Sequence, residues 1–240
     1  RKKELNQLKG GEYTVKTIVT TELIKDIAEK NHIICYDVYT GFKWIADVIR
    51  KEGGEKFIGG GEESFGYMPG AFTRDKDGVS ATSLMAEIAA WVKMQNKTLY
   101  SFLKEIYAKY GFSQERMIYI VRKGLSGAQE IKAMMEEFRH NTPKEINHSP
   151  VVLKKDYLSL EATNLQTGEK THLNFETKSD VLQFFLADGS KISVRPSGTE
   201  PKIKFYFEAR AQMKDMNDYE RVQQDANARI DAIIKDLKLQ

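Results

Sequence analysis

The sequence predicts an α/β domain followed by an α+β domain, and three observations support this division. As far as Gly111, apolar strand-like runs alternate with segments of helical periodicity. Beyond it, short alternating runs follow one another, with turn glycines at 168 and 189. The chain has 240 residues, which is enough for two ordinary domains of roughly 100–200 residues each. We therefore expect domains at 1–112 and 113–240.

The first domain is expected to be an αβα layer structure with a mixed, largely parallel sheet. Strands that alternate with helices form parallel sheets covered by helices. Phe42, Ile45 and Ile49 recur in helical phase, and Thr20 or Thr21 can cap the helix before them. The predicted strands are 13–19, 33–36 and 56–58.

The second domain is expected to be an antiparallel sheet with helices on one face. A capping box at 126–129 predicts the start of one helix, and an amphipathic tail over 218–237 predicts another. Gly168 and the pair Asp188–Gly189 indicate hairpin turns. The predicted strands are 117–121, 151–153, 157–164, 181–186, 191–194 and 202–208.

Composition excludes several classes of protein. A net charge of +3 is too small to predict nucleic acid or membrane as a main partner. Cys35 is the single cysteine, so no internal disulfide can form and a reducing cytoplasm is expected. The four histidines lack metal-ligand spacing, and no metal site is expected in this chain. Because it opens at Arg1 without methionine, we expect a piece of a longer protein or a polypeptide expressed without a tag.

The most informative segment is 195–202, RPSGTEPK. A guanidinium matches phosphate with a planar fork of donors, and hydroxyls and glycine amides can fill the remaining oxygens. Strand-like alternation on both sides predicts a hairpin loop, whereas a nucleotide P-loop would lead into a helix. The segment is interpreted as a phosphate-binding loop, with a plain polar hairpin tip as the alternative.

A second candidate site is 59–67, GGGEESFGY, where a parallel strand is predicted to end. Ligands of open α/β sheets bind at this edge. Carboxylates accept hydrogen bonds from vicinal hydroxyls, and glycines let the backbone approach a sugar ring closely. A glycine-rich turn with solvated acidic residues is the alternative.

Two weaker segments accompany these motifs. In RDKDG at 74–78, Asp77 can cap the following helix, and Lys76 is a candidate for proton transfer. Proton transfer would require burial or nearby positive charge to favour the neutral amine, and a charged helix entry is the alternative. In YTGFKW at 39–44, Thr40, Gly41 and Lys43 can line a pocket, and a plain turn is the alternative.

Together the motifs resemble the α-D-phosphohexomutase superfamily. GEESFG at 61–66, DKDG at 75–78 and RPSGT at 195–199 occur in the family's order, and TGFK at 40–43 also fits. The resemblance covers the C-terminal half, domains 3 and 4, and is nearest the phosphoglucomutase/phosphopentomutase branch. It implies that the last domain is TATA-binding-protein-like. The serine that carries the phosphate and the magnesium loop belong to domains 1 and 2, and their motifs are not found in these residues.

The resemblance also implies roles for individual residues. One group would bind sugar hydroxyls, a second would bind the phosphate that is not transferred, and Lys76 would be the general acid or base. Where dual-specificity glucose/mannose enzymes often have methionine, this chain has Glu63, which favours glucose or pentose. The implied substrate-binding residues are Thr40, Gly41, Glu62, Ser64, Arg195, Ser197, Gly198, Thr199 and Lys202.

The implied activity is the interconversion of sugar 1-phosphate and sugar 6-phosphate through a bisphosphate intermediate. The expected cofactors are Mg²⁺, bound outside this chain, and a glucose 1,6-bisphosphate-type activator. The expected partners are a small phosphosugar and the N-terminal domains of the same protein. A phosphomannomutase, a phosphopentomutase or a non-catalytic sugar-phosphate-binding fragment is the alternative. The TATA-binding-protein-like layout raises DNA binding as a further class, but the chain has no basic stripe.

Overall fold

The fold consists of two compact units. A computed structural model describes residues 2–122, 124–198 and 200–239. Contacts group Arg1–Phe112 with Met213–Asn217 in the first unit, and Ser113–Gln212 with Asp218–Gln240 in the second. None of the helices in the described ranges is long and apolar enough to cross a membrane.

The first unit contains a four-stranded mixed sheet in the order β2-β1-β3-β4. The β1 strand runs parallel to both β2 and β3, and β4 is antiparallel to β3. This arrangement confirms the predicted fold class. The elements are β1 Tyr13–Thr17, α1 Leu23–Lys30, β2 Ile34–Val38, α2 Phe42–Glu52, β3 Phe57–Gly61, β4 Tyr67–Met68, α3 Gly78–Met94 and α4 Leu99–Tyr110, with a 3-10 turn at Gly54–Lys56.

The α2 helix provides much of the apolar core of the first unit. Phe42, Ile45 and Ile49 are buried on its inner face, as their spacing predicts. They pack against strand residues that include Val15 and Met68. Because α2 begins at Phe42, directly after Gly41, this packing fixes the position of the loop between β2 and α2.

The glycine run belongs to a strand, where the sequence predicted that the strand ended at residue 58. The β3 strand continues to Gly61, and Gly60 pairs with Val15 on one side and Met68 on the other. A Cβ atom on Gly60 would lie 2.7 Å from the Val15 carbonyl oxygen. Glycine is thus required for the close approach of these backbones.

The second unit is built on a sheet in the order β5-β12-β11-β10-β7-β8-β9, with β6 paired to β7. The neighbours from β12 to β9 are antiparallel, which confirms the predicted α+β class. Positive φ angles at Gly168 (76°) and Gly189 (85°) form the predicted hairpin turns. The elements are β5 Phe112–Val121, α5 Gly124–His140, β6 Glu145–Ile146, β7 Ser149–Asp156, β8 Glu161–Asn164, β9 Lys170–His172, β10 Leu182–Leu186, β11 Lys191–Pro196, β12 Lys202–Ala211 and α6 Tyr219–Asp236, with a 3-10 turn at Met216–Asp218.

The two faces of this sheet differ in polarity. One face carries Ile192, Val194 and Phe205, which are buried, and the Phe138 ring of α5 lies 5.9 Å from the Phe205 ring. The opposite face carries polar side chains, because alternate residues of a strand point to opposite sides. Ser193 belongs to that polar face and accepts a hydrogen bond from Gln183 Nε2 at 2.9 Å.

Two local predictions in this region are wrong. Ser126 lies within α5, which already includes Gly124, so residues 126–129 do not form its capping box. In the first unit, Thr98 just before α4 and Ser101 within it do form a capping box, in which each side chain accepts from the other residue's backbone amide. The predicted strand at 157–164 is shortened to β8, because the backbone turns at Leu160 with a φ of 60°.

Candidate functional site

The carboxyl ends of the three parallel strands lie at one edge of the first sheet. They end at Thr17, Val38 and Gly61, and β1 lies between the other two. The chain leaves β1 towards β2 and returns across β1 to β3. The carboxyl edge between β1 and β3 is therefore the switch point at which ligands of open α/β sheets bind.

Residues Glu62–Gly66, named here the carboxylate loop, follow β3 at this edge. The Glu62 amide donates to the Gly66 carbonyl oxygen at 2.9 Å, and Phe65 adopts a φ of 64°. The Glu62 carboxylate accepts hydrogen bonds from the Gly41 amide and, at 3.4 Å, from the Ser64 hydroxyl. The structure thus brings together three of the predicted site residues, Gly41, Glu62 and Ser64.

Gly41 can approach Glu62 because of its backbone conformation. Its φ of 120° is rarely adopted by residues with a side chain, and it places the amide towards the carboxylate at the start of α2. Thr40, which precedes it, is half-buried. The result is a partly exposed carboxylate and hydroxyl at a sheet edge, a suitable set of acceptors and donors for a polyol.

Glu63 contacts different residues from Glu62. Its Oε2 atom accepts from the Thr17 hydroxyl at 3.1 Å and from the Thr20 hydroxyl at 3.4 Å. The two hydroxyls are themselves 2.8 Å apart. Of the two threonines predicted to cap α1, Thr20 thus contacts Glu63, while the Thr21 hydroxyl accepts a hydrogen bond from the Leu23 amide at the start of α1. This network was not predicted, because its members are 43 and 46 residues apart in the chain.

Lys76 lies beside the carboxylate loop. Its Nζ atom is 5.6 Å from the centre of the Phe42 ring, and a Cβ atom on Gly66 would be 3.4 Å from Lys76 Cβ. That Gly66 Cβ would also lie 2.5 Å from the Phe42 ring, so only glycine fits at this position. Phe42 thus packs under both the loop and the lysine.

The surroundings of Lys76 are polar and open. Its side chain is 65% exposed, and Nζ lies 3.4 Å from Asp75 Oδ1. The pKa of Asp75 is held below its usual range, chiefly by a hydrogen bond from the Lys76 amide and secondly by one from the Lys76 side chain. Asp77 accepts from the Val79 amide at 3.0 Å and caps α3, as predicted. An exposed side chain beside a carboxylate is not the buried or positively charged environment that would favour the neutral amine, so a proton-transfer role for Lys76 stays a prediction.

A buried lysine stabilises the same edge of the sheet. Lys16, fully buried in β1, lies 2.7 Å from Asp37 Oδ1 of β2 and 3.1 Å from Glu22 Oε1. Burial alone would lower the pKa of Lys16, but the two carboxylates outweigh burial and raise it. The ion triad connects β1, β2 and the start of α1. Sequence reasoning missed it, because the partners Glu22 and Asp37 lie outside β1.

In the second unit, β11 and β12 pair as a β-hairpin, and its described residues 195–198 and 200–204 are named here the cationic hairpin. The Ser197 amide donates to the Lys202 carbonyl oxygen at 2.7 Å, and the Glu200 amide donates to Ser197 Oγ at 3.3 Å. Gly198 is exposed, and a Cβ atom there would meet nothing within 4 Å. Thr199, a predicted site residue, lies outside the described residues.

Three cations lie on one face of the cationic hairpin. Arg195 is the cross-strand partner of Lys204, and Lys202 is on the same face two residues earlier. Lys202 Nζ lies 4.1 Å from the centre of the Tyr119 ring. Like charges directly opposite each other destabilise a sheet, so this arrangement favours a bound anion. Lys204 was missed, although the alternation in KIKFYF signals its face.

The described residues provide no metal centre. No group of three or more His, Cys, Asp or Glu side chains within the described ranges could hold a metal ion. The acidic residues of the carboxylate loop are instead hydrogen-bonded to amides and hydroxyls. The described residues therefore offer no set of ligands for the expected magnesium ion.

Comparison with protein-family models decides the family. The model described as phosphoglucomutase/phosphomannomutase, alpha/beta/alpha domain III, matches residues 1–110. The model for the phosphoglucomutase/phosphomannomutase C-terminal domain matches residues 130–231. The chain belongs to the phosphoglucomutase/phosphomannomutase family. It matches the models of the third and the C-terminal domains, which confirms the resemblance seen in the sequence.

Curated relatives agree with this family. A phosphoglucomutase of Staphylococcus aureus strain N315 is 36% identical over 217 residues, which are 90% of this chain and 38% of that protein. A phosphoglucomutase of the bovine strain RF122 / ET3-1 is 37% identical over 193 residues, 80% of this chain and 35% of that protein. The chain thus spans less than two fifths of the curated relatives' length.

Solved structures of the family share the fold. Parafusin, a phosphoglucomutase of Paramecium, aligns with a TM-score of 0.57 and 17% identity over 92% of this chain and 38% of its own. A Thermus thermophilus protein described as a phosphomannomutase aligns with a TM-score of 0.57 and 16% identity, over 98% of this chain and 37% of its own. At this identity the likeness concerns the fold alone.

Proposed function

We propose that this chain is the C-terminal half of a phosphoglucomutase-type enzyme that interconverts glucose 1-phosphate and glucose 6-phosphate. Residues 1–112 would be its sugar-binding domain and 113–240 its phosphate-binding domain. The observation that carries the proposal is the Glu62 carboxylate held by Gly41 and Ser64 at the carboxyl edge of the sheet. Membership of the family and the phosphoglucomutase relatives support it.

In this proposal the carboxylate loop binds sugar hydroxyls. Glu62 accepts hydrogen bonds from hydroxyls, and Ser64 can donate or accept. A carboxylate does not distinguish between hydroxyl donors, so it can serve a sugar that binds in two opposed orientations. Thr40 and Gly41 would line the same pocket. Because the Glu63 carboxylate is hydrogen-bonded to threonines, we do not assign it a direct role in the choice between glucose and pentose.

The cationic hairpin would bind the phosphate that is not transferred. The Arg195 guanidinium supplies a fork of donors, and Ser197, Gly198 and Thr199 would supply hydroxyls and amides. Lys202 would add positive charge from the same face, and so would Lys204. Because phosphate relieves the repulsion between opposed cations, the ligand is also expected to stabilise the hairpin.

Phosphoryl transfer itself requires groups outside this chain. A phosphoserine elsewhere in the protein would phosphorylate the bound sugar phosphate, and the bisphosphate would reorient and return its other phosphate to the serine. Mg²⁺, which we expect another domain to hold, would supply charge stabilisation when bound. Within this chain, Lys76 would move the proton of the reacting hydroxyl. A sugar 1,6-bisphosphate would act as activator, and the single cysteine supports a cytoplasmic location.

A turnover assay of the full-length protein tests the proposal. The protein would be supplied with Mg²⁺, a trace of glucose 1,6-bisphosphate and, separately, the 1-phosphates of glucose, mannose and ribose. We expect the highest kcat/KM for the glucose substrate, with glucose 6-phosphate as product. A higher kcat/KM for the mannose or ribose substrate would replace glucose as the proposed substrate. If no substrate is turned over, the enzyme assignment is wrong.

A further inference from the structure

The carboxylate loop is attached to the rest of the first unit at two places. On one side, Glu62 accepts from the amide of Gly41. On the other, Glu63 accepts from the hydroxyls of Thr17 and Thr20, both buried at the carboxyl end of β1. Adjacent residues of one loop thus contact the segments that follow two different strands.

The second attachment has the properties of an anchor. Thr17 is the last residue of β1 and is fully buried, and its hydroxyl also lies 2.8 Å from that of Thr20. The neighbouring Lys16 is held by an ion triad. A carboxylate bound to two buried hydroxyls on a rigid strand end has little freedom to rotate.

The position of Glu62 depends on this anchor, because the two residues are joined by one peptide bond. The loop closes on itself through the Glu62 amide and Gly66 carbonyl oxygen, and it includes Phe65 at a positive φ of 64°. A left-handed conformation of a bulky residue costs free energy and persists only where surrounding contacts maintain it. Glu63 supplies such a contact.

We propose that Glu63, with Thr17 and Thr20, forms a positioning group that aims Glu62 and Ser64 at the sugar hydroxyls. This inference rests on the proposed function, since it assigns a support to the same site. Glu63 acts through its neighbours and does not touch the sugar. Of the two adjacent glutamates, Glu62 thus binds the sugar and Glu63 holds Glu62 in position.

Substrate analogues test this separation in the full-length enzyme. Monodeoxy analogues of glucose 1-phosphate each lack one ring hydroxyl. The analogue with the largest loss of kcat/KM in the wild type identifies the hydroxyl that the loop binds, and that loss is named here the deoxy penalty. A misplacement of about 1 Å can lower the rate by on the order of 100-fold, so we expect Glu63→Ala to lower kcat/KM for glucose 1-phosphate by about 10- to 100-fold. For this variant, kcat/KM with the deoxy analogue is expected to be little lower than kcat/KM with glucose 1-phosphate.

Threonine variants make the test independent of Glu63 itself. Thr17→Val removes the hydroxyl and keeps the shape, so it should reproduce the reduced deoxy penalty, whereas Thr17→Ser should restore the wild-type penalty. Glu29→Gln is the matched control, because it neutralises an exposed glutamate of α1 whose carboxylate lies 3.8 Å from Lys25 Nζ. It should leave kcat/KM unchanged for both substrates.

The outcomes are distinct. A purely structural role for Glu63 would lower the active fraction equally for both substrates and leave the deoxy penalty intact, and this result would overturn the proposal. If Glu63→Ala does not fold, Glu63→Gln and the Thr17 pair decide the same question. A wild-type enzyme that shows no deoxy penalty, or an unaffected Glu62→Ala variant, would contradict the proposed function instead.

Discussion

The carboxylate loop and the cationic hairpin are stabilised in opposite ways. In the first, Glu62 is already hydrogen-bonded to Gly41 and Ser64. In the second, Arg195 faces Lys204 across two strands, and neither forms an ion pair with a carboxylate in the described part of the chain. The hydrogen bonds of the first region form without a ligand, whereas the opposed cations of the second repel each other.

This difference matches the chemistry of the two ligand groups that we propose. A hydroxyl is neutral, and its recognition depends on the direction of each hydrogen bond, so the protein must hold the acceptor in place. A phosphate is recognised chiefly by charge, so the protein must assemble cations that repel one another. Substitutions in the two regions should therefore differ in their effects on binding, turnover and stability.

The largest effect is expected beside the carboxylate loop, for Lys76→Met in the full-length enzyme. If Lys76 transfers a proton, kcat should fall by about 100-fold or more, with a smaller change in KM. Steady-state kinetics with glucose 1-phosphate measure both constants. Lys25→Met, on the exposed face of α1, is the control. A raised KM with unchanged kcat would show that Lys76 only binds substrate.

The next effect is expected in the cationic hairpin, for Arg195→Ala. Loss of a charged hydrogen-bonding partner typically costs about 1.5–3 kcal/mol, so KM should rise by about 10- to 100-fold. Arg195→Lys should give an intermediate value, since it keeps the charge and loses the fork. Arg221→Ala, which removes only surface ion pairs of α6, is the control. Unchanged kinetics in Arg195→Ala would refute the phosphate assignment.

A smaller effect is expected for Glu62→Gln in the carboxylate loop. The amide keeps one acceptor oxygen and loses the charge, so hydrogen bonds from Gly41 and from sugar hydroxyls become weaker. We expect kcat/KM to fall about tenfold. Glu29→Gln again controls for the loss of one negative charge. A variant as active as the wild type would show that Glu62 does not contact the substrate.

The smallest effect concerns stability and has the opposite sign. Lys204→Gln removes the repulsion opposite Arg195, so the free energy of unfolding should rise by about 0.5 kcal/mol at low ionic strength. Added phosphate should raise the Tm of the wild type more than that of the variant. Thermal unfolding with and without phosphate measures both. A destabilised variant with an undiminished phosphate effect would argue against an anion site at Lys204.

The sequence predicted local features of the site better than those that depend on strand pairing. The segment at 195–202 was correctly placed at the junction of two strands, because its flanks alternate, although β11 extends to Pro196 and β12 already begins at Lys202. The link between Glu63 and Thr17 depends on the neighbouring positions of β1 and β3, which no local pattern reveals. Lys16 was missed for the same reason, since its partners Asp37 and Glu22 lie on other elements.

A crossed comparison of two variants and two substrates tests the division of labour most directly. For Glu62→Ala, Arg195→Ala and the wild-type full-length enzyme, kcat/KM would be measured with glucose 1-phosphate and with the monodeoxy analogue that loses most in the wild type. We predict that Arg195→Ala lowers both values by the same factor and that Glu62→Ala abolishes the difference between the substrates. A full deoxy penalty in Glu62→Ala, or a lost one in Arg195→Ala, would contradict the account.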